Sequence, residues 1–403
     1  MSEQPTIVCF ASYYKGAEFL RAAHEQGWRV VLVTKRQQEN EPWPRDILAE
    51  VAVVPDDADV DYYVYAASYL MRHHTVKRIV ALDEYDVMRA AVARERLCLP
   101  GLPTTVARSF RDKLLMRDRA AAAGLRVPEF VATINHPEIA AYLERVPGPW
   151  ILKPRADAAA IGIQKLDTAG DVWQAIERLD AIERIKDRAA FYLLERFVAG
   201  DVFHVDSLTL DGKVIFAGAN RYWRPPFEVS RGGVFRSSTM PRGGAEEKAL
   251  LDFNRKLISA LGLTHGAAHA EFIRSAADGK LYFLEIACRV GGAFLAETLE
   301  AASGINLWRE WAKIETGDET RPYKLPRRRR DYGGITLTLS RQEWPDTTAY
   351  TDPEIFYRVS KPWHVGLIVG SPKLEKVEGL LENYAERFAH DFAAVAPPLE
   401  RPE

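Results

Sequence analysis

The sequence predicts an α/β and α+β fold: an N-terminal doubly wound parallel-sheet domain, then antiparallel sheets with interspersed helices. Three observations carry this. Apolar strands and amphipathic helices alternate through the first hundred residues. The pattern switches beyond Val127-Pro128, and Asp211-Gly212 and Asp278-Gly279 read as hairpin turns.

Thr6–Phe10 reads as a strand, and Ala17–Gln26 as a helix with Phe19, Leu20 and Ala23 on one stripe, ended by Gly27. Arg29–Thr34, Val51–Val54 and Arg78–Leu82 read as further strands and Val60–His73 as a helix. The first strand-to-helix turn, Ala11-Ser12-Tyr13-Tyr14-Lys15-Gly16, is no glycine-rich phosphate loop. Tyrosines where the backbone would approach a pyrophosphate argue against dinucleotide binding, so this domain is expected to help shape a substrate cleft. Gly101-Leu102-Pro103 marks a boundary, after which Ser109 is expected to cap a helix running to Ala123. From about Leu325, Gly334–Leu339 and His364–Val369 read as strands, Lys373 to about Phe392 as a helix, and Pro397 to Glu403 as a tail.

The 403 residues are too many for one compact core and imply several domains. A net charge of −2, with 47% hydrophobic and 27% charged residues, gives no reason to expect nucleic acid or an acidic membrane as partner. The basic run Arg327 to Arg330 has no interleaved aromatics and reads as a solvated linker. No segment reads as a signal peptide, and none approaches the roughly 20 apolar residues of a membrane helix. Cys9, Cys98 and Cys288 share no metal-ligand spacing and read as reduced thiols, so a cytoplasmic location is expected.

The sharpest chemical signal is the hairpin Gly266–Gly292. A three-residue loop, Ala277-Asp278-Gly279, would set Ala276 against Lys280 and Glu271 against Glu285. His269, Ile273 and Phe283 would then share the glutamates' face. Two carboxylates opposed across strands repel unless a cation lies between them, and a divalent ion with hard oxygen ligands would explain the pair. A two-residue turn would instead put the glutamates diagonally on opposite faces, and spacing leaves both registers open. Arg289, before Gly291-Gly292, suits a grip on phosphate or carboxylate, or is a surface arginine ahead of a helix.

Lys153 sits inside the apolar strand Trp150–Lys153, a costly position unless its ammonium meets an anion, and Ala156–Ala160 reads as a flap able to cover phosphates. Phe191–Glu195 is a strand ending in an acid and an aromatic, as an adenine slot or a plain edge strand would. Taken in order, Asp112-Lys113, Ile151–Arg155, Glu195–Gly200, Gly266–Phe272 and Glu285–Gly292 resemble the ATP-grasp superfamily, of the carboxylate–amine ligase type.

The resemblance implies four parts: a Rossmann-like pre-ATP-grasp domain (1–105), the small (106–190) and large (191–324) ATP-grasp subdomains, the latter with the metal site, and a C-terminal α+β domain (325–403). It implies ATP as substrate, held by Lys113 and Lys153 at the phosphates and by Glu195, Arg196, Phe197 and Val198 at the adenine. Glu271 and Glu285 would hold Mg²⁺, and Arg289 would act with Lys153 on the transferring phosphoryl group. Two positions depart from the family. Ala287 replaces an asparagine ligand of the second metal, and Val202 replaces a ribose-binding glutamate, for which Asp201 is a substitute.

The implied reaction activates a small-molecule carboxylate as an acyl phosphate and joins it to an amine, releasing ADP. Amino acids are candidate substrates, with His269, Asp206, Arg221 and Arg231 as candidate contacts; His204 stands near the same strands. A homodimer is compatible with the resemblance. A thiol or other acceptor, a biotin-carboxylase-like enzyme and a nucleotide-binding regulator without turnover are the rival readings.

Overall fold

The computed structural model describes residues 4–157, 161–182, 191–229 and 233–394. Its first domain comprises β1 (Thr6–Ala11), α1 (Ala17–Glu25), β2 (Arg29–Lys35), β3 (Leu48–Val54), α2 (Val60–Leu70), β4 (Val76–Ala81) and α3 (Val87–Arg96). The four strands form a parallel sheet in the order β3-β2-β1-β4. Strand alternation divides its apolar side chains between two cores. Ile7, Cys9 and Ala11 pack with α1, while Val8 and Phe10 pack with α2 and α3. The strand order reverses at β1 and β4, and a crevice opens beyond their carboxyl ends.

A short helix, α4 (Thr104–Ala107), leads to α5 (Lys113–Ala122). Ser109 does not cap this helix. It lies in a separate 3₁₀ turn, Arg108–Phe110, and Asp112 caps α5 by accepting a hydrogen bond from the Leu114 N–H at 3.1 Å. The cap therefore falls three residues late and makes Lys113 the first residue of the helix.

The small lobe holds β5 (Phe130–Ala132), α6 (His136–Arg145), β6 (Trp150–Pro154), β7 (Gln164–Leu166), α7 (Ala169–Ile182) and β8 (Tyr192–Arg196). Its sheet runs β5-β8-β6-β7, so the strand Tyr192–Arg196 pairs within this lobe rather than with the large one. The lobe has its own core, built on Ile139, Tyr142, Leu152, Ile176 and Leu194.

The large lobe is an eight-stranded sheet. In chain order it carries β9 (Gly200–Leu210), β10 (Lys213–Tyr222), α8 (Pro226–Val229), β11 (Phe235–Thr239), α9 (Ala245–Leu261), β12 (Gly266–Ser275), β13 (Leu281–Ala287), α10 (Leu295–Ser303) and α11 (Leu307–Thr316). The C-terminal segment adds β14 (Tyr332–Leu339), β15 (Ile355–Arg358), β16 (His364–Ser371) and α12 (Leu374–Asp391). The strand order is β13-β12-β9-β10-β11-β14-β16-β15. The C-terminal strands thus build no sheet of their own: β14 pairs with β11 and removes what would be a free edge. Arg327 to Arg330 are exposed, as a solvated linker should be. No described helix is long and apolar enough to cross a membrane.

Candidate active site

Glu271 and Glu285 stand directly opposite each other on β12 and β13. The route to that pairing differs from the one read in the sequence. Nearest the turn the Ser275 N–H donates to the Lys280 carbonyl at 2.9 Å, which leaves a four-residue loop, Ala276 to Gly279. A bulge between the Glu271 and Phe272 pairs, with Leu284 as the extra residue, then shifts the register by one and brings the glutamates together. The same bulge places Phe283 opposite Phe272, both fully buried on the other face of the sheet. Phe283 therefore does not share the carboxylates' face, whereas His269 and Ile273 do.

Pairing of β12 with β9 runs unbroken and sets Asp206 beside His269, His204 beside Glu271 and Val202 beside Ile273. These side chains form one chain of contacts across the sheet. His204 Nε2 lies 2.8 Å from Ser237 Oγ, and its Nδ1 lies 2.7 Å from Asp206 Oδ2. Asp206 Oδ1 meets His269 Nδ1 at 2.9 Å, and the Tyr222 hydroxyl donates to Glu271 Oε1 at 2.9 Å. Burial works against charge at both histidines. It wins at His204, whose pKa is lowered; at His269 the Asp206 carboxylate wins and pushes it up to about 10. Burial likewise opposes ionisation of Glu271, yet its contacts with His269 and Tyr222 hold its carboxyl below the usual range. His204, Asp206 and His269 offer ligand atoms within 4.8 Å of one another. Their mutual hydrogen bonds already satisfy them.

The cations converge from the other lobes. Lys113 Nζ donates to the Asp157 carbonyl at 2.6 Å and stands 3.3 Å from Glu285 Oε2. Lys153, on β6, is 5% exposed and lies 2.5 Å from Glu195 Oε1, while Arg117 Nε donates to Glu195 Oε2 at 2.9 Å. Burial pulls the Lys153 ammonium down to about 8 against the pull of Glu195. The Glu195 carboxylate is thus spent on two cations. Just beyond it Arg196 Nε pairs with Glu129 at 2.6 Å, the Phe197 N–H donates to the Pro149 carbonyl at 2.9 Å, and Val198 is buried.

Two expected contacts lie elsewhere. Asp201 is paired with Arg274 across β9 and β12, on the face opposite Glu271, so strand alternation keeps it from replacing Val202. Arg221 turns to Glu378 on α12 at 2.9 Å and stacks on Trp223, again on the far face. Arg231 lies outside the described residues, as does part of the Ala156–Ala160 flap.

Arg289 is oriented by a residue the sequence reading passed over. Its Nε and Nη2 lie 2.8 and 2.6 Å from Glu84 Oε2, and its Nη1 donates to the Val290 carbonyl at 2.9 Å. Glu84 follows β4, at the crevice where the strand order reverses, and also pairs with Arg111. Burial would raise its pKa, but Arg289, Arg111 and Lys113 hold it down to about 2. The available signal was the acidic run Asp83 to Asp86 at a strand's carboxyl end. Glu84, Lys113, Asp157, His269, Glu285 and Arg289 line one small pocket.

Glu285 thus shares one small pocket with Lys113, Glu84 and Arg289, and Glu271 stands opposite Glu285 on the neighbouring strand. Residues 146–297 match the family model of the ATP-grasp domain. It is 23% identical over 261 residues to the L-arginine-specific L-amino acid ligase of Bacillus subtilis, a match spanning 64% of this chain and 62% of that ligase. Its fold is shared with the L-amino acid ligase of Bacillus licheniformis (TM-score 0.76, 17% identity, 98% and 100% of the two chains). The biotin carboxylase domain of Hydrogenobacter thermophilus 2-oxoglutarate carboxylase, solved with MgADP and bicarbonate, is also similar (TM-score 0.70, 15% identity, 98% and 90% of the chains).

Proposed function

We propose that the protein is an ADP-forming carboxylate–amine ligase that activates a small-molecule acid, with amino acids as its substrate class. The observation that carries this is the single pocket joining Glu285, Lys113 and Arg289, with Glu271 across the strand pair from Glu285. The amino acid ligases it resembles support the substrate class.

The donor set fits magnesium, because Glu271 and Glu285 present hard carboxylate oxygens on adjacent strands. These two residues would hold the ion, which offsets phosphate charge when bound. Ala287 offers no ligand beside them. Lys113 and Lys153 bind the phosphates of ATP. The substrate carboxylate attacks the γ-phosphoryl group, ADP leaves, and Lys153 and Arg289 stabilise the charge in transfer. The amine then attacks the acyl phosphate, forms the amide and expels phosphate. His269 is paired to Asp206 and held protonated, so it serves as a fixed positive charge beside Glu271 rather than as the base.

A homodimer and a cytoplasmic location belong to the same reading. The free thiols of Cys9, Cys98 and Cys288 suit a reducing compartment, and sedimentation velocity measures the assembly. The direct test supplies ATP, Mg²⁺ and pools of amino acids, then follows phosphate release and dipeptide mass. Tight ATP binding with no phosphate release for any acceptor sinks the ligase reading and leaves a nucleotide-binding regulator.

A further inference from the structure

Glu84 belongs to the first domain, yet its carboxylate is sequestered among groups from two other parts of the chain. It is 7% exposed. Arg289, from the segment after β13, approaches Oε2 with two nitrogens, at 2.8 and 2.6 Å. Arg111, from the turn before α5, pairs with Oε1. Arg111 also donates to the Ala156 carbonyl, at the foot of the segment that follows β6. Lys113, two residues on, holds the next part of that segment through the Asp157 carbonyl at 2.6 Å.

Two features separate this cluster from an ordinary buried ion pair. One carboxylate serves two guanidinium groups that come from different parts of the chain, Arg111 before α5 and Arg289 after β13. The head of Arg289 is also anchored on two sides, by Glu84 and by the Val290 carbonyl, and so is held in one orientation toward Lys113 and Glu285.

Resting on the ligase reading above, we propose that Glu84 is the positioning residue of the phosphoryl-transfer site. It aims the Arg289 guanidinium into the pocket and, through Arg111, ties the Ala156 backbone just after β6 to the first domain. Glu84 does not touch the reacting atoms. It acts by fixing where the positive charge of Arg289 lies before transfer begins, which is when pre-organisation lowers the barrier. Because Glu84 is on the first domain, docking of that domain is part of assembling the catalytic arginine.

The test uses the full chain with Mg²⁺ and compares affinity for ADP with affinity for ADP plus aluminium fluoride, a mimic of the phosphoryl group in transfer. Glu84→Gln should leave ADP affinity within about threefold of wild type. Turnover and the extra affinity for the fluoride complex should fall on the order of 10²-fold. Arg289→Lys should lose a similar amount, and the double variant should lose no more than either alone, because both act on one contact. If Glu84→Gln does not fold, Glu84→Asp decides, since it keeps the charge but withdraws it. It should lower turnover with ADP affinity intact. Equal losses for ADP and for the fluoride complex, or additive losses in the double variant, would assign Glu84 a structural role and overturn the proposal. A wild type that binds ADP but gains nothing from aluminium fluoride would instead overturn the ligase reading, and this inference with it.

Discussion

Lys153 shows how one side chain's environment sets a function and its pH range. Inside β6 its ammonium is stripped of water, which pulls its pKa down to about 8; Glu195 and Glu285 oppose this, and Arg117 reinforces it. A lysine carries its charge below its pKa. The cation we propose to bind phosphate is therefore present at pH 7 and lost as the pH rises through about 8. ATP affinity should weaken steadily between pH 7 and 9 in the wild type, with no such trend in Lys153→Ala. Binding isotherms across that range check it, and a flat wild-type profile would contradict it. Glu285→Gln makes a different prediction. It removes a charge we propose to hold the metal and should abolish phosphate release, whereas Lys153→Ala should lower both affinity and rate. If Glu271→Gln and Glu285→Gln both keep full activity, the metal assignment is wrong. The residue types were legible from sequence because a lysine in an apolar strand and two strand-borne glutamates are each costly without a partner. Glu84 was not, since an acid at the end of a strand is cheap wherever solvent reaches it.

At the scale of elements, backbone geometry controls the site more tightly than side-chain chemistry. Gly200 closes the hinge between β8 and β9, with φ of 156°. A Cβ there would lie 1.9 Å from the Arg274 carbonyl oxygen, a backbone atom that cannot yield without displacing β12. Gly200→Ala should cost about 3 kcal/mol or more. Gly379, inside α12, meets nothing within 4 Å, so Gly379→Ala should stabilise by roughly 0.5–1 kcal/mol. Thermal unfolding of the two variants tests both signs at once. Most elements could be read from periodicity and turn residues, including the Asp211-Gly212 hairpin joining β9 to β10. The β13 bulge could not. A bulge changes register by one residue without any distinctive local composition, so it turned Phe283 away from the carboxylates while leaving the glutamate pair in place.

For the molecule as a whole, the division of cores matters more than the division of sequence. Val8, Phe10 and Ala91 of the first domain share one apolar cluster with Phe203, Phe253 and Phe272 of the large lobe. Ile7 and Leu32 on the other face join Trp308 and Trp311 of α11. The small lobe keeps a core of its own. A fragment of residues 1–105 should therefore expose much of its packing surface and show no cooperative thermal transition by circular dichroism. A sharp transition in that fragment would show that the first domain folds without the large lobe. The order of strands and helices, the nature of each lobe and the types of residue able to bind phosphate and metal were determined by the sequence alone, because periodicity, turn chemistry and the cost of burying charge are local. The tertiary structure decided the partners. It set Glu84 against Arg289 across 205 residues, turned Asp201 and Arg221 to the far face of the sheet, and joined His204, Asp206 and His269 to Glu271. Those contacts depend on which strands become neighbours and which face each residue takes, and no local pattern encodes either.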